Sequence, residues 1–214
     1  MRRVWKSYQV FTSFWYRVFG LVAVPLLLLG LGEFMMVTNH GDNKTMPVLY
    51  LASFVIVEVL EDYWLFGGIC EKNMCSMEYL KSSFQGMKVL KNALIADVIR
   101  RGIYFAVFAL VLGRPGQYGE VIVLAAFADL VVTITLVITR HLNYAVMMQL
   151  AICGVASTVY ELCAWGMDWI YRQLPLLCAA IGIAVAVGMI VGNVCAVLHV
   201  LRCVKRSYYE TGIQ

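Results

Sequence analysis

Apolar residues in this chain run in long unbroken stretches, with polar residues confined to short breaks between them. Such runs occupy residues 20–37, 47–66, 121–139, 144–165 and 175–201. Crossing the hydrocarbon of a bilayer takes about 20 apolar residues in a helix, so each of these is a predicted membrane span. A further apolar run, 103–112, is too short alone; beginning at about residue 93 it becomes the third of six spans. The breaks TNHGDNKTMP, GRPGQYGE and RHLN read as short turns. Residues 1–18 differ: Val4, Tyr8, Phe11, Trp15 and Phe19 recur at helical spacing among Arg2, Arg3, Lys6 and Arg17. This pattern predicts an amphipathic helix lying in the interface, or an aromatic belt at the base of the first span.

Residues 69–92 form the one sizeable polar excursion, between spans two and three. Ser76 followed by Glu78 reads as a helix start, and Met77, Leu80 and Phe84 fall on one face of that helix. Gly86 is expected to end it, with a second helix starting near Lys88 and running into span three. That register puts Asp97, Arg100 and Arg101 at the inner interface, where the arginines are expected to reach headgroups.

Composition supports the reading of the pattern. Of 214 residues, 62% are hydrophobic and 14% charged, with a mean hydropathy of +0.78, outside the range of a soluble domain. The expected fold is all-α: a polytopic membrane protein forming a single transmembrane domain over residues 1–214. Six spans take about 120 residues, which leaves no separate catalytic domain. The charged start of the chain lacks a small-residue cleavage site, so the first span is expected to persist. With both termini in the cytoplasm, Lys44, Arg114 and Arg172 lie outside and the other 14 of the 17 basic residues inside. The positive-inside rule supports this orientation. Attraction to anionic lipid accounts for the net charge of +4, and no nucleic-acid partner is implied.

Candidate chemistry is sparse. Asp129 sits near the middle of span four, and Glu58 and Glu161 also lie within spans; a carboxylate there costs ~2.5–3.5 kcal/mol and must face the bundle interior or a polar pathway. These three are candidates for a translocation path or an ion- or proton-linked site. The alternative is a purely structural acid, satisfied in the case of Asp129 by Thr133 or by Tyr or Ser side chains on neighbouring helices. In span six Ala180, Ala184, Gly188, Gly192 and Ala196 recur every fourth residue, a flat face for close helix packing within or between subunits. The seven cysteines suggest no disulfide framework, and Cys70 and Cys75 match zinc spacing weakly, so no metal is expected. A cysteine peptidase would need His141 or His199 beside Cys70, Cys75 or Cys203. The triplet Asn43-Lys44-Thr45 is a glycosylation sequon that matters only in a eukaryotic secretory setting. Neither GxxxxGK[ST] nor GxGxxG occurs.

The order of an amphipathic N-terminal segment, six spans with both ends inside, and a helical excursion carrying EYLKSSFQGMKVLKNALIADVIRR resembles the permease subunits of type 2 export ABC transporters, in particular small bacterial members. The resemblance implies a bacterial cell-membrane protein without covalent chemistry of its own. It further implies that the excursion docks on a separate ATP-binding subunit, which holds the ATP and Mg, and that two permeases, like or unlike, enclose the path. Carried onto this chain, the docking residues are Glu78, Tyr79, Leu80, Lys81, Phe84, Gly86 and Lys88. The outer connection between spans five and six is brief here, unlike that of larger members. The rival readings are a non-transport subunit that recruits a partner through the excursion, and an ion- or proton-coupled carrier built on Asp129 and Glu58.

Overall fold

A computed structural model describes residues 2–38, 45–62, 65, 80–112, 118–141, 154 and 175–210. Among them the elements are α1 (Arg2–Phe11), α2 (Phe14–Val18), a π-helical turn (Phe19–Ala23), α3 (Val24–Thr38), α4 (Thr45–Asp62), α5 (Gly86–Leu112), α6 (Tyr118–His141) and α7 (Pro175–Glu210). No strand occurs among the described residues, in agreement with the all-α expectation. Phe14–Met35 and Ala180–Arg202 are long and apolar enough to cross a membrane, and Val121–Val137 is a shorter apolar stretch. The expected span at 144–165 lies outside the described residues, apart from Gly154.

The N-terminal segment is two helices instead of one. Ser13 adopts an extended conformation, and its hydroxyl accepts a hydrogen bond from the Tyr16 amide at 3.2 Å, capping a new helix. The restart breaks the expected single face. Tyr8 is fully buried, with Val4 and Phe11 against the same cluster, whereas Trp15 and Phe19 are exposed. Six residues after Ser13 a second irregularity begins, and it follows from Pro25. A proline ring clashes with the carbonyl four residues earlier and offers that carbonyl no N–H. Here the carbonyl is that of Leu21, and the chain answers with the π turn, in which the Val24 amide donates to Phe19.

Two apolar clusters hold the helices together, and α5 contributes to both. In the first, Leu51, Phe54 and Val55 of α4 meet Phe105 and Phe108 of α5 and Ala125, Ala128 and Val132 of α6. Phe54 is its centre, with the rings of Tyr104, Phe105 and Phe108 within 4.5–6.1 Å. In the second, Tyr8 of α1 meets Leu90, Ala93 and Leu94 of α5 and Val200 and Val204 of α7. The small-residue face of α7 is only partly used. Gly192 and Gly188 lie against Leu130 of α6 and Ala196 is buried, but Ala180 and Ala184 are exposed. Contact is carried further toward the N-terminus by Gly182 instead, against Val123. Long apolar side chains such as Ile183, Val187 and Ile190 point outward from α7, as Leu26, Leu31 and Phe34 do from α3.

The expected break at Gly86 is present. Residues 80–82 are helical, residues 83–85 turn, and α5 begins at Gly86, whose amide donates to the Ser83 carbonyl at 3.1 Å. A Cβ on Gly86 would lie 1.9 Å from the Leu80 carbonyl oxygen, a backbone atom that no rotamer change can move. Gly102, within the same helix, has nothing within 4 Å of its would-be Cβ. Opposite outcomes are therefore expected from one substitution. Gly86→Ala should lower stability by about 1–3 kcal/mol through forced displacement of the turn. Gly102→Ala should be neutral or raise stability by up to about 1 kcal/mol through helix propensity. Thermal unfolding of the two purified variants in detergent checks this, and equal shifts would contradict the packing described at Gly86.

Candidate functional site

Asp97, Arg100 and Tyr104 stand three and four residues apart on α5 and so share one face; Glu58 and Glu61 share a face of α4 in the same way. The two faces meet in a charge network that is almost fully buried. The Arg100 guanidinium forks onto Glu58, with Nη1 donating to Oε1 at 2.8 Å and Nη2 to Oε2 at 2.6 Å. Its Nε and Nη2 also donate to Asp97 Oδ1 at 3.2 and 2.9 Å, and Nη1 reaches Glu61 Oε2 at 3.5 Å. Arginine suits this position because its planar fork serves a carboxylate with two parallel bonds and still has donors for another. The ring of Tyr104 lies 5.1 Å from the guanidinium carbon, adding a cation–π contact.

Around this network stand three phenols. The Tyr104 hydroxyl donates to the carbonyl of Leu21, the group that Pro25 deprives of its helical partner. Tyr8 and Tyr16 come from α1 and α2 and neighbour each other, and neither hydroxyl makes a hydrogen bond of good geometry. Burial pushes the Tyr8 phenol well above its ordinary range, against a smaller opposing pull from Arg100, so it is present as the neutral hydroxyl. Gly20 leaves room here: a Cβ on it would sit 3.3 Å from Glu61 Oε1 and 3.0 Å from the Tyr16 ring.

Arg101, one residue on, points about 100° away around the helix and enters a second network. Its Nη2 donates to Asn193 Oδ1 at 3.0 Å, and its Nε lies 3.7 Å from Asp129 Oδ1. Asn193 Nδ2 donates to Asp129 Oδ2 at 2.7 Å and to the Met189 carbonyl at 2.9 Å, while Thr133 donates to Asn193 Oδ1 at 3.2 Å. Every bond agrees with one orientation of the amide, carbonyl toward the arginine and NH₂ toward the carboxylate. Arg101 Nε and Nη1 and Asp129 Oδ1 make no hydrogen bond.

These arrangements correct the expectation that Arg100 and Arg101 reach toward headgroups. They are 5% and 2% exposed, because buried carboxylates on the neighbouring helices need them more than solvent does. Glu58 and Asp129, read from sequence as path candidates, are brought into separate networks, and Glu161 lies outside the described residues. Asp129 accepts one hydrogen bond, from Asn193, and faces Arg101 at 3.7 Å; Thr133 serves Asn193 instead. Asn193 was missed, although it is the one carboxamide in the apolar run of α7. Among the docking candidates Glu78 and Tyr79 lie outside the described residues. Leu80 packs inward on the cluster around Tyr8, Lys81 is half-buried, Gly86 is buried, Lys88 is exposed and Phe84 is fully exposed. Leu80 and Phe84 therefore do not share a face, because the helix ends between them. The described residues include no group of His, Cys, Asp or Glu that could hold a metal ion.

Comparison with protein-family models, with characterised proteins and with solved structures finds no match.

The link between Pro25 and Tyr104 is open to a double-mutant cycle. Tyr104→Phe keeps the ring over Arg100 but strands the Leu21 carbonyl, at an expected cost of about 1–3 kcal/mol. In a Pro25→Ala background residue 25 regains an N–H for that carbonyl, and the same change should cost at least about 0.5 kcal/mol less. Equal costs in both backgrounds, measured by unfolding of the purified protein, would mean that the hydroxyl does not serve the π turn.

Proposed function

We propose that the chain is the membrane-embedded subunit of a transporter in the bacterial cell membrane, with six spans and both termini in the cytoplasm, driven by an ATP-hydrolysing partner. Outward-facing apolar side chains on the two long apolar helices suit a hydrocarbon surround, and the placement of basic residues suits this orientation. Buried charge inside an apolar bundle is costly and concentrates where helices must hold defined positions. The cargo would be apolar or amphipathic, moved between two permease copies or a permease pair, and the ATP and Mg would stay on the partner.

The observation that carries this reading is Phe84. An aromatic side chain fully exposed on a three-residue turn contributes nothing to the fold of its own chain. Exposed aromatics of this kind are the usual anchors of an interface. The turn is joined directly to α5, the helix that bears both buried arginines. A partner gripping Phe84 would thus hold one end of a continuous helix whose other parts are tied to α4, α6 and α7.

The second reading, an ion- or proton-coupled carrier, is favoured by the buried carboxylates of Glu58, Glu61, Asp97 and Asp129.

Docking is tested with Phe84→Asp. The variant should keep the thermal stability of the wild type and lose co-purification of an ATP-binding subunit, with affinity falling at least about tenfold, or about 1.4 kcal/mol. Leu80 is unsuitable for this test because an aspartate there would enter the core. An unaltered complex with Phe84→Asp would overturn docking at the turn, and a partner without an ATP site would favour the non-transport subunit.

A further inference from the structure

We propose that the Glu58–Glu61 pair, with the Tyr16 and Tyr8 phenols behind it, is a proton-binding site that keeps one carboxyl neutral while Arg100 holds the other. The inference does not depend on an ATP-driven partner.

Three observations lead to it. The first is the division of donors. Arg100 gives Glu58 two short bonds and shares further donors with Asp97, leaving Glu61 one guanidinium contact, at 3.5 Å. Two carboxylates one helical turn apart thus face one guanidinium that already serves a third acid. In a medium that solvates charge poorly, a close pair of carboxyls does not stay doubly ionised when one cation must serve both.

The second is that the place of a cation is already taken. The guanidinium itself occupies the region where the carboxylates converge, and these acids do not form a group that could hold a metal ion. A proton is the cation that needs no cavity.

The third is independent of the acids. Tyr8 is 0% exposed, no hydrogen bond of good geometry satisfies its hydroxyl, and its neighbours are Tyr16, Arg100, Asp97 and Glu58. Tyr16, whose hydroxyl also lacks a well-formed hydrogen bond, stands between Tyr8 and Glu61 as their neighbour. A buried hydroxyl without a well-formed hydrogen bond is costly, and two of them in sequence beside an acid make a short row of O–H groups leading to it. Gly20 keeps that row open by placing no side chain between Glu61 and Tyr16.

The groups facing the site come from every element around it. They are Tyr8 on α1, Tyr16 on α2, Glu58, Glu61 and Asp62 on α4, and Asp97, Arg100 and Tyr104 on α5. Asp62 and Asp97 keep further interactions of their own, as does His199, which precedes Val200 in the cluster that holds Tyr8. Glu58 and Glu61 counted against Arg100 already leave a surplus of one negative charge, before Asp97 is included.

Infrared difference spectroscopy of the full chain in lipid nanodiscs, comparing H₂O with D₂O at neutral pH, reads a protonated carboxyl directly. Wild type should show one carboxylic-acid C=O band, Glu61→Gln should abolish it, and Asp129→Asn should leave it in place. Tyr8→Phe should shift the band without removing it. Since glutamine mimics a neutral glutamic acid, Glu61→Gln should also unfold at the wild-type temperature, whereas removal of an ionised partner from Arg100 would lower it. A wild-type spectrum without the band, or a band that persists in both Glu58→Gln and Glu61→Gln, would overturn the proposal.

Discussion

Two guanidiniums on consecutive residues, buried and pointing to different neighbours, are the constraint on which the described helices depend. Burying an unpaired arginine costs several kcal/mol, so each must find its acid. Arg100 finds Glu58 and Asp97; Arg101 finds Asn193 and, at longer range, Asp129. Because the two directions differ by about 100°, α5 has one rotation about its axis that satisfies both. Sliding α5 by a turn relative to α4 would strand Arg100, and relative to α7 would strand Arg101. Apolar contacts such as those of Phe54 add cohesion but distinguish such alternatives poorly, since one apolar surface packs tolerably on another. The charged pairs supply the discrimination, and the apolar clusters on either side exclude the water that would weaken it.

The N-terminal segment joins the same arrangement by a different route. Pro25 removes an N–H from the helix, the π turn absorbs the displacement, and Tyr104 of α5 supplies the missing donor to Leu21. Ser13 ends one helix and caps the next, which lets α1 lie along α5 with Tyr8 inward while α2 sends Trp15 and Phe19 outward. Local rules of backbone hydrogen bonding thereby bring three tyrosines around one arginine. None of these rules concerns charge, yet their outcome is a polar pocket beside the acids of α4.

Long elements were legible in the sequence for a plain reason: an apolar run of about 20 residues has few alternatives to a helix. The reading of 121–139 falls within α6, and 175–201 within the longer α7. The break at Gly86 was legible too, because glycine before a periodic segment marks a start. Pairing was not. Periodicity shows which residues share a face but not which helix that face meets, so Arg100 and Arg101 read as a basic collar when they are interior ties. Asn193 was overlooked because one amide hardly alters the hydropathy of a long run, though it bonds to side chains of both α5 and α6. The face expected at positions 4 to 19 failed because it assumed one continuous helix across Thr12 and Ser13. The stripe in α7 was half right: small residues indicate where close approach is permitted, and Val123 and Leu130 decide where it happens.

The two networks also differ in how completely they are satisfied, and this bears on what burial of charge accomplishes here. Around Arg100 the donors are well used, whereas Arg101 leaves two nitrogens without hydrogen bonds and Asp129 one oxygen. If the networks served stability alone, the second would be a poor bargain: apolar replacements of similar volume for a buried ion pair are often neutral or stabilising by about 1–4 kcal/mol. Removing just one partner is a different matter, because the charge left behind has no solvent to turn to. That asymmetry makes each network a lock on register more than a source of cohesion. It also explains why Asn193 stands between Arg101 and Asp129: the amide presents an acceptor to one and a donor to the other, holding both at a spacing that a direct salt bridge would close. A helix located by such polar ties, with apolar contacts that tolerate small displacements, is fixed in position by few atoms.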